Sequence, residues 1–512
     1  MLRTCAIMVL CSVSLMGVNA TAAPKLLDAS IEDIQTMLSS DEISSVDLVR
    51  WYTARIEAYD QNGPNLNAIQ YLNQHALAQA EALDKERKAS GPRSLLHGIP
   101  LVIKDNYETI DAPTTAGSAI LAEHWPKRDA TQVAKLKQAG AIVLAKTTMH
   151  EFAYGWTTRG SAFGITRNPY NPTRHPGGSS GGTGAAVAAN LATAGMGSDT
   201  CGSIRVPAAH NNLVGLRGTQ GISSRSGIIP LSSSRDVGGP LARSVSDLAI
   251  LLDSTVGYDP LDSQTGESLG KIPASYLASL NKLDLENVRI GVLNDWFGPD
   301  KAAGSANSAV RSVLEKLRKA GAQIVELSSP ELKALQIETT SPSAWFVDDY
   351  DLKHDLPAYL AQYPSLTTQS FAELAKDSRL EKEVSKFWQN ILNPSFDSHT
   401  TYLQSHADGR SMRQRLLTLM SDYELAVLVY PTATEEAVPL GEEQTHSNCK
   451  LAAAAGLPAI SVPAGFGSQG LPVAIELLAE PWAEQKLLNL AYTIEQVAPA
   501  RQPPELTSRI TE

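Results

Sequence analysis

Basic charge is in short supply in this chain. Lys and Arg number 43 against 54 Asp and Glu, a formal net charge of -11. Phosphate backbones are bound by clustered Lys and Arg, so this balance argues against a nucleic-acid partner. Cysteine is scarcer still, with four in 512 residues. No Cys/His spacing matches a zinc site, so no metal centre is expected. Past the N-terminus no apolar run approaches the ~20 residues of a spanning helix. Internal repeats and low-complexity linkers are absent too. Length alone predicts about three domains. With no place to cut the chain, a single domain is expected instead.

The N-terminus stands apart. Met1-Leu2-Arg3 is a short positive segment, Cys5 to Val18 is apolar, and Ala20 and Ala22 make an A-x-A pattern. This arrangement predicts a secretory signal peptide over 1–22, against a buried helix or a short membrane anchor. The mature protein over 23–512 is then exported, periplasmic or secreted, with no membrane span. Cys5 and Cys11 leave with the leader. Cys201 and Cys449 remain, and an oxidising compartment permits a bridge between them. Cys201 lies two residues before Ser203 in a tight loop, which favours a free, packed thiol.

Read in order, the chain alternates strands and helices. Ala68–Leu72 and the apolar Gly98–Ile103 read as strands, the latter ending at Lys104-Asp105-Asn106. Between them, residues 74–90 are rich in Ala, Glu, Lys and Leu and read as a helix. A helix over 130–139 leads into a strand over 141–145. Further strands are expected over 288–293, 322–327, 425–430 and 459–462. Helices are expected over 185–194, 246–254 and 307–320, and residues 341–420 are mostly helical. Apolar strands alternating with helices predict an α/β fold whose sheet is covered on both faces.

Chemistry concentrates in Gly177-Gly178-Ser179-Ser180-Gly181-Gly182 and its continuation through Ser198-Asp199-Thr200-Cys201-Gly202-Ser203-Ile204-Arg205. Three competing readings of the first part are weak. Gly-x-Ser-x-Gly around Ser180 fits a nucleophile elbow, but the elbow needs a preceding strand and Asn171–Pro176 is loop. A phosphate loop needs a closing Gly-Lys-Ser/Thr, and no lysine is there. A plain linker fits poorly with the Ala-rich segment that follows at once.

Together with Pro100–Asn106, Gly202–Ala209, Val214–Arg217, Gly239–Val245 and Gly456–Pro463, the stretch resembles the amidase signature family of serine hydrolases. The match is good over about 65–260 and 450–480 and loose over about 300–450. The resemblance implies the family's α/β fold, a large mixed β-sheet covered by helices on both faces, and a Ser–Ser–Lys arrangement needing no cofactor. Ser203 is the implied nucleophile, Ser179 the bridging serine after a cis Gly178–Ser179 peptide, and Lys104 the base. Backbone N–H groups of Thr200, Cys201 and Gly202, with that of Ser203, are the implied oxyanion hole. Ser180 is expected to hydrogen-bond Lys104. Asp199 and Arg205 are expected to brace the loop as an ion pair, with an ordinary surface pair as the alternative.

The chemistry is coherent by itself. A serine hydroxyl needs an adjacent base. Lysine serves only when neutral, and burial lowers its pKa from about 10.4. A hydroxyl between the two can accept and donate at once. His175 and His210 are close in sequence but are expected to be structural or surface residues. Met149 and Phe152 line an acyl pocket or simply pack the core. The family often has Gly at the position of Cys201, Asn at Thr148, Gly at Ala474 and Gln at Glu476. These departures are expected to touch pocket shape, not the reaction core.

The expected activity is hydrolysis of a linear carboxamide, or of a peptide C-terminal amide, to acid and ammonia or amine through acyl-Ser203. The alternatives are an esterase or carbamate hydrolase using the same residues, or a silent binding protein on the same fold. The family's glutamine-hydrolysing subunit of tRNA-dependent amidotransferases works in the cytoplasm beside partner subunits, and the leader argues against that setting here.

Overall fold

A computed structural model describes residues 23–298, 300–364, 366 and 370–508. The expected leader over 1–22 lies outside the described residues. Eleven strands form one sheet. In chain order they are β1 (Ile69–Leu72), β2 (Pro100–Lys104), β3 (Ile142–Thr147), β4 (Ala194–Asp199), β5 (Val214–Arg217) and β6 (Val237–Ala242), then β7 (Arg289–Leu293), β8 (Gln323–Leu327), β9 (Val427–Pro431), β10 (Ala459–Phe466) and β11 (Pro472–Leu478). Their order across the sheet is β1-β3-β2-β4-β6-β5-β10-β11-β9-β7-β8. Pairings are mixed: β2 runs parallel to β3 and β4, whereas β4 and β6 are antiparallel. The protein is a single α/β domain.

Side chains on a strand alternate between faces, and here the alternation separates two cores. Val427 and Val429 of β9 join one cluster, Leu428 and Tyr430 the other. On the first face the helices Asp300–Lys319 and Glu484–Val497 bury Val310, Leu314, Leu487 and Ile494. On the second, Pro330–Thr340 and His399–Asp422 bury Leu335 and Leu416. The sheet is therefore dry on both sides, which explains the continuous apolar runs of β2 and β3.

The structure departs from expectation around the Gly/Ser stretch. The helix expected over 185–194 is instead α1, Gly181–Ala188. Asn190, with φ of 55°, turns the chain out of it. Residues 194–199 then become β4, between β2 and β6. Nothing in Ala-Gly-Met-Gly-Ser-Asp carries the β-branched signature of a strand. Pairing on both edges overrides the local preference.

Candidate active site

Lys104 is the last residue of β2 and is fully buried. Its Nζ lies 2.7 Å from Ser179 Oγ, 3.2 Å from the Ser198 carbonyl and 2.9 Å from Ser198 Oγ. No carboxylate touches it among the described residues. Burial pushes its pKa down to about 7, against the raising fields of Asp236 and Asp199. An ammonium there costs on the order of 4–5 kcal/mol relative to water. A neutral amine fits the three contacts. Its two hydrogens go to Ser198 O and Ser198 Oγ, and its lone pair accepts the Ser179 hydroxyl proton.

Ser198 is the residue that sequence reasoning missed. The role expected of Ser180 falls to it. Ser180 Oγ donates to the Ser198 carbonyl at 3.2 Å and does not reach Lys104. The Ser198 hydroxyl also accepts from Asn106 Nδ2 at 2.9 Å. Ser198 stands in β4 beside β2, where Ile103 pairs with Met196. That register, not any motif, brings serine and lysine together.

The Gly178–Ser179 peptide is cis. Ser179 is held by the His150 N–H on its carbonyl at 3.0 Å. A Cβ on Gly178 would come within 2.7 Å of the Trp156 backbone, so only glycine fits. Ser203 lies just before α2 (Arg205–His210). The Ser180 N–H donates to the Ser203 carbonyl at 3.2 Å, which ties the two halves of the stretch together. Among the described residues the Ser203 hydroxyl makes no hydrogen bond. Such links in unliganded sites often tighten only when substrate binds.

The loop between β4 and α2 has a defined set of open donors. Gly202 N–H is taken by Asp199 Oδ1 at 2.8 Å, and Ile204 N–H by Asp199 Oδ2 at 3.2 Å. Gly202 is thus not available as the expected oxyanion donor. The backbone N–H groups of Thr200, Cys201 and Ser203 have no partner among the described residues. Asp199 and Arg205 do pair, at 3.1 Å, and both are fully buried. Arg217 joins at 3.0 Å from Asp199. Their positive charges hold the Asp199 carboxyl well below the usual range despite its burial. Arg205 also binds Glu476, which accepts the Tyr430 hydroxyl at 2.9 Å. Glu476 therefore belongs to the frame of the loop. The expectation that it shapes only the pocket is corrected.

A second correction concerns the cysteines. Cys201 and Cys449 form a disulfide across 248 residues of sequence, with Cα atoms 5.1 Å apart. The sequence favours a free thiol because nothing local signals a partner so distant. Cys449 precedes α3 (Lys450–Ala455), which the fold lays over the loop. Trp156 and Trp345 pack against the bridge, and Trp156 Nε1 donates to the Cys201 carbonyl at 2.8 Å.

The remaining candidates fall elsewhere. Met149 and Phe152 are buried in an apolar cluster with Trp388, whose ring lies 5.0 Å from that of Phe152. Both pack in that cluster. His175 and His210 are buried, not surface residues, and burial lowers both to about 4. A cavity of about 200 Å³ is lined by Ser198, Arg225, Ile228, Pro230 and Asp236. Of the residues around Lys104 it reaches Ser198, while Ser203, Cys201 and Thr200 are not among its lining. Among the described residues no group of three or more His, Cys, Asp or Glu could hold a metal, and no helix is long and apolar enough to cross a membrane.

Known proteins share this arrangement of chain. The family model described as Amidase matches residues 47–488. The chain is 34% identical over 502 residues to a subunit of the glutamyl-tRNA(Gln) amidotransferase of Ralstonia pickettii, covering 91% of this chain and 97% of that one. Its fold is similar to the native peptide amidase of Stenotrophomonas maltophilia, with a TM-score of 0.84 and 33% identity over 94% of this chain and 99% of that one. It is also similar to an amidase family protein of Bacillus anthracis, with a TM-score of 0.84, 28% identity and 96% coverage of each.

Proposed function

The chain belongs to the amidase family and is a hydrolase of carboxamide C–N bonds, and from that premise we propose that Ser203, Ser179 and Lys104 carry out the hydrolysis. The single observation behind this reading is Lys104. It is a lysine buried without a carboxylate partner, pushed to about 7, and 2.7 Å from Ser179 Oγ.

Neutral Lys104 takes the Ser179 proton while Ser179 takes that of Ser203. Ser203 Oγ then bonds to the amide carbon. The oxyanion that develops is met by the free N–H groups of Thr200, Cys201 and Ser203, donors of a kind worth about 3–4 kcal/mol each. The proton returns through Ser179 to the nitrogen, the C–N bond breaks and amine or ammonia leaves. Water attacks acyl-Ser203, giving its proton to Ser179 and Lys104; the acyl C–Oγ bond then breaks, the proton passes back to Ser203 Oγ, and the acid departs. A fluorophosphonate should label Ser203, and Ser203→Ala should abolish turnover while Ser179→Ala leaves more residual activity. Full activity of Ser203→Ala would overturn the mechanism.

The substrate is a small linear carboxamide or the C-terminal amide of a peptide. The likeness to a peptide amidase along nearly its whole length supports that class. The site of action is outside the cytoplasm. Two features support it: the leader-like pattern of residues 1–22, and a disulfide of the kind that persists in oxidising compartments. Sequencing the N-terminus of the mature protein tests this, with a start near Ala23 expected and an intact Met1 in the cytosolic fraction overturning it.

A further inference from the structure

We propose that the Cys201–Cys449 disulfide is a positioning element for catalysis, holding the backbone N–H donors of Thr200, Cys201 and Ser203 at the height the oxyanion needs. The proposal rests on the reading that Ser203 is the nucleophile. The loop is held at nearly every point except the donors left open. Asp199 takes the Gly202 N–H at 2.8 Å, Val206 N–H donates to the Gly202 carbonyl at 2.7 Å, and Trp156 donates to the Cys201 carbonyl at 2.8 Å. The disulfide adds the one covalent tie, and it anchors the loop to an element from the far end of the chain.

That anchor is itself fixed. Arg205 Nη2 donates to the Cys449 carbonyl at 3.3 Å while its Nε pairs with Asp199 at 3.1 Å. Asp199, Arg205, Cys449 and Cys201 thus close a ring, ionic on one side and covalent on the other. Gly202 lies inside it with φ of 85°, and a Cβ there would come within 2.7 Å of Cys449 Cβ.

Cys449→Ala or reduction removes the one covalent tie between the loop and Cys449 and leaves residues 200–203 free to shift. A misplacement of about 1 Å at reacting groups can cost about 100-fold in rate. Reduction by a dithiol delivers two electrons and two protons to the bridge, leaving two thiols on the protein and a cyclic disulfide on the reagent.

The test compares wild type, Cys449→Ala and Ser203→Ala on one amide substrate. For Cys449→Ala, kcat should fall roughly 10- to 100-fold with KM changed by less than about threefold. Affinity for a peptide aldehyde, which forms a tetrahedral oxyanion adduct, should fall in step. A role in stability alone would lower the unfolding temperature and leave both readouts unchanged at 25 °C, and that result overturns the proposal. If Cys449→Ala does not fold, dithiol-reduced wild type with unchanged circular dichroism serves instead. Loss of rate on reduction and recovery on reoxidation with oxidised glutathione support the proposal; full rate in the reduced state overturns it. An active Ser203→Ala would instead remove the underlying mechanism, so the two failures are distinct.

Discussion

Ser198 and Lys104 share a hydrogen bond of 2.9 Å in which one hydroxyl serves two buried groups, since Asn106 Nδ2 donates to the same oxygen at 2.9 Å. An oxygen that accepts from lysine favours the ammonium, and its loss favours the amine. Ser198→Ala should therefore move the rise of the pH–rate profile to lower pH. The plateau rate should also fall, since the lysine is then less well aimed at Ser179. An unmoved profile would mean that Ser198 does not touch the base in solution.

The wild-type profile follows from the same lysine. Burial lowers Lys104 to about 7, so the working amine is the minor form below that pH and the major form above it. kcat/KM should rise through about pH 7 and level off on the alkaline side, as measured with an amide that does not itself titrate. A rate independent of pH across that range would count against a lysine base.

Asp199 is the hub of a buried network with two arginines. Asp199→Ala leaves Arg205 with Glu476 as its ion-pair partner and takes from Arg217 the carboxylate it pairs with at 3.0 Å. Breaking a buried pair this way typically costs about 3–5 kcal/mol. Urea unfolding should show a loss of that size. A midpoint equal to that of wild type would show that the network carries little of the stability.

Trp156 probes the loop more gently. Trp156→Phe keeps most of the ring packed against Trp345 but removes the indole N–H from the Cys201 carbonyl. The expected cost is about 1 kcal/mol, roughly fivefold in kcat. Steady-state kinetics on wild type and variant check it, with unchanged kcat the contrary result.

How much of the site is legible in the sequence depends on distance along the chain. Lys104 is legible because it stands in Pro100–Asn106, one of the blocks that carry the family resemblance, at the end of an apolar strand. Asp199 and Arg205 are six residues apart in one loop, close enough for their pairing to be expected. Ser198 lies inside the stretch richest in glycine and serine, yet only the parallel register of β2 and β4 points it at Lys104. β4 is itself hidden, its composition offering no strand signal. The Cys201–Cys449 bond and the Arg205–Glu476 pair join residues brought together by the whole sheet, and no local pattern reports them. The motif assigns the Gly202 amide to the oxyanion hole when it serves Asp199, because spacing says which residues form a loop but not which way each amide points.

The disulfide also makes the chain a closed covalent circuit. Residues 202–448, including the helices over 330–422, lie between its two ends. A protease that makes a single cut anywhere within that circuit releases no fragment, because both pieces stay joined at the catalytic loop. The nicked protein would persist as one molecule, and the break would show on a gel only after reduction.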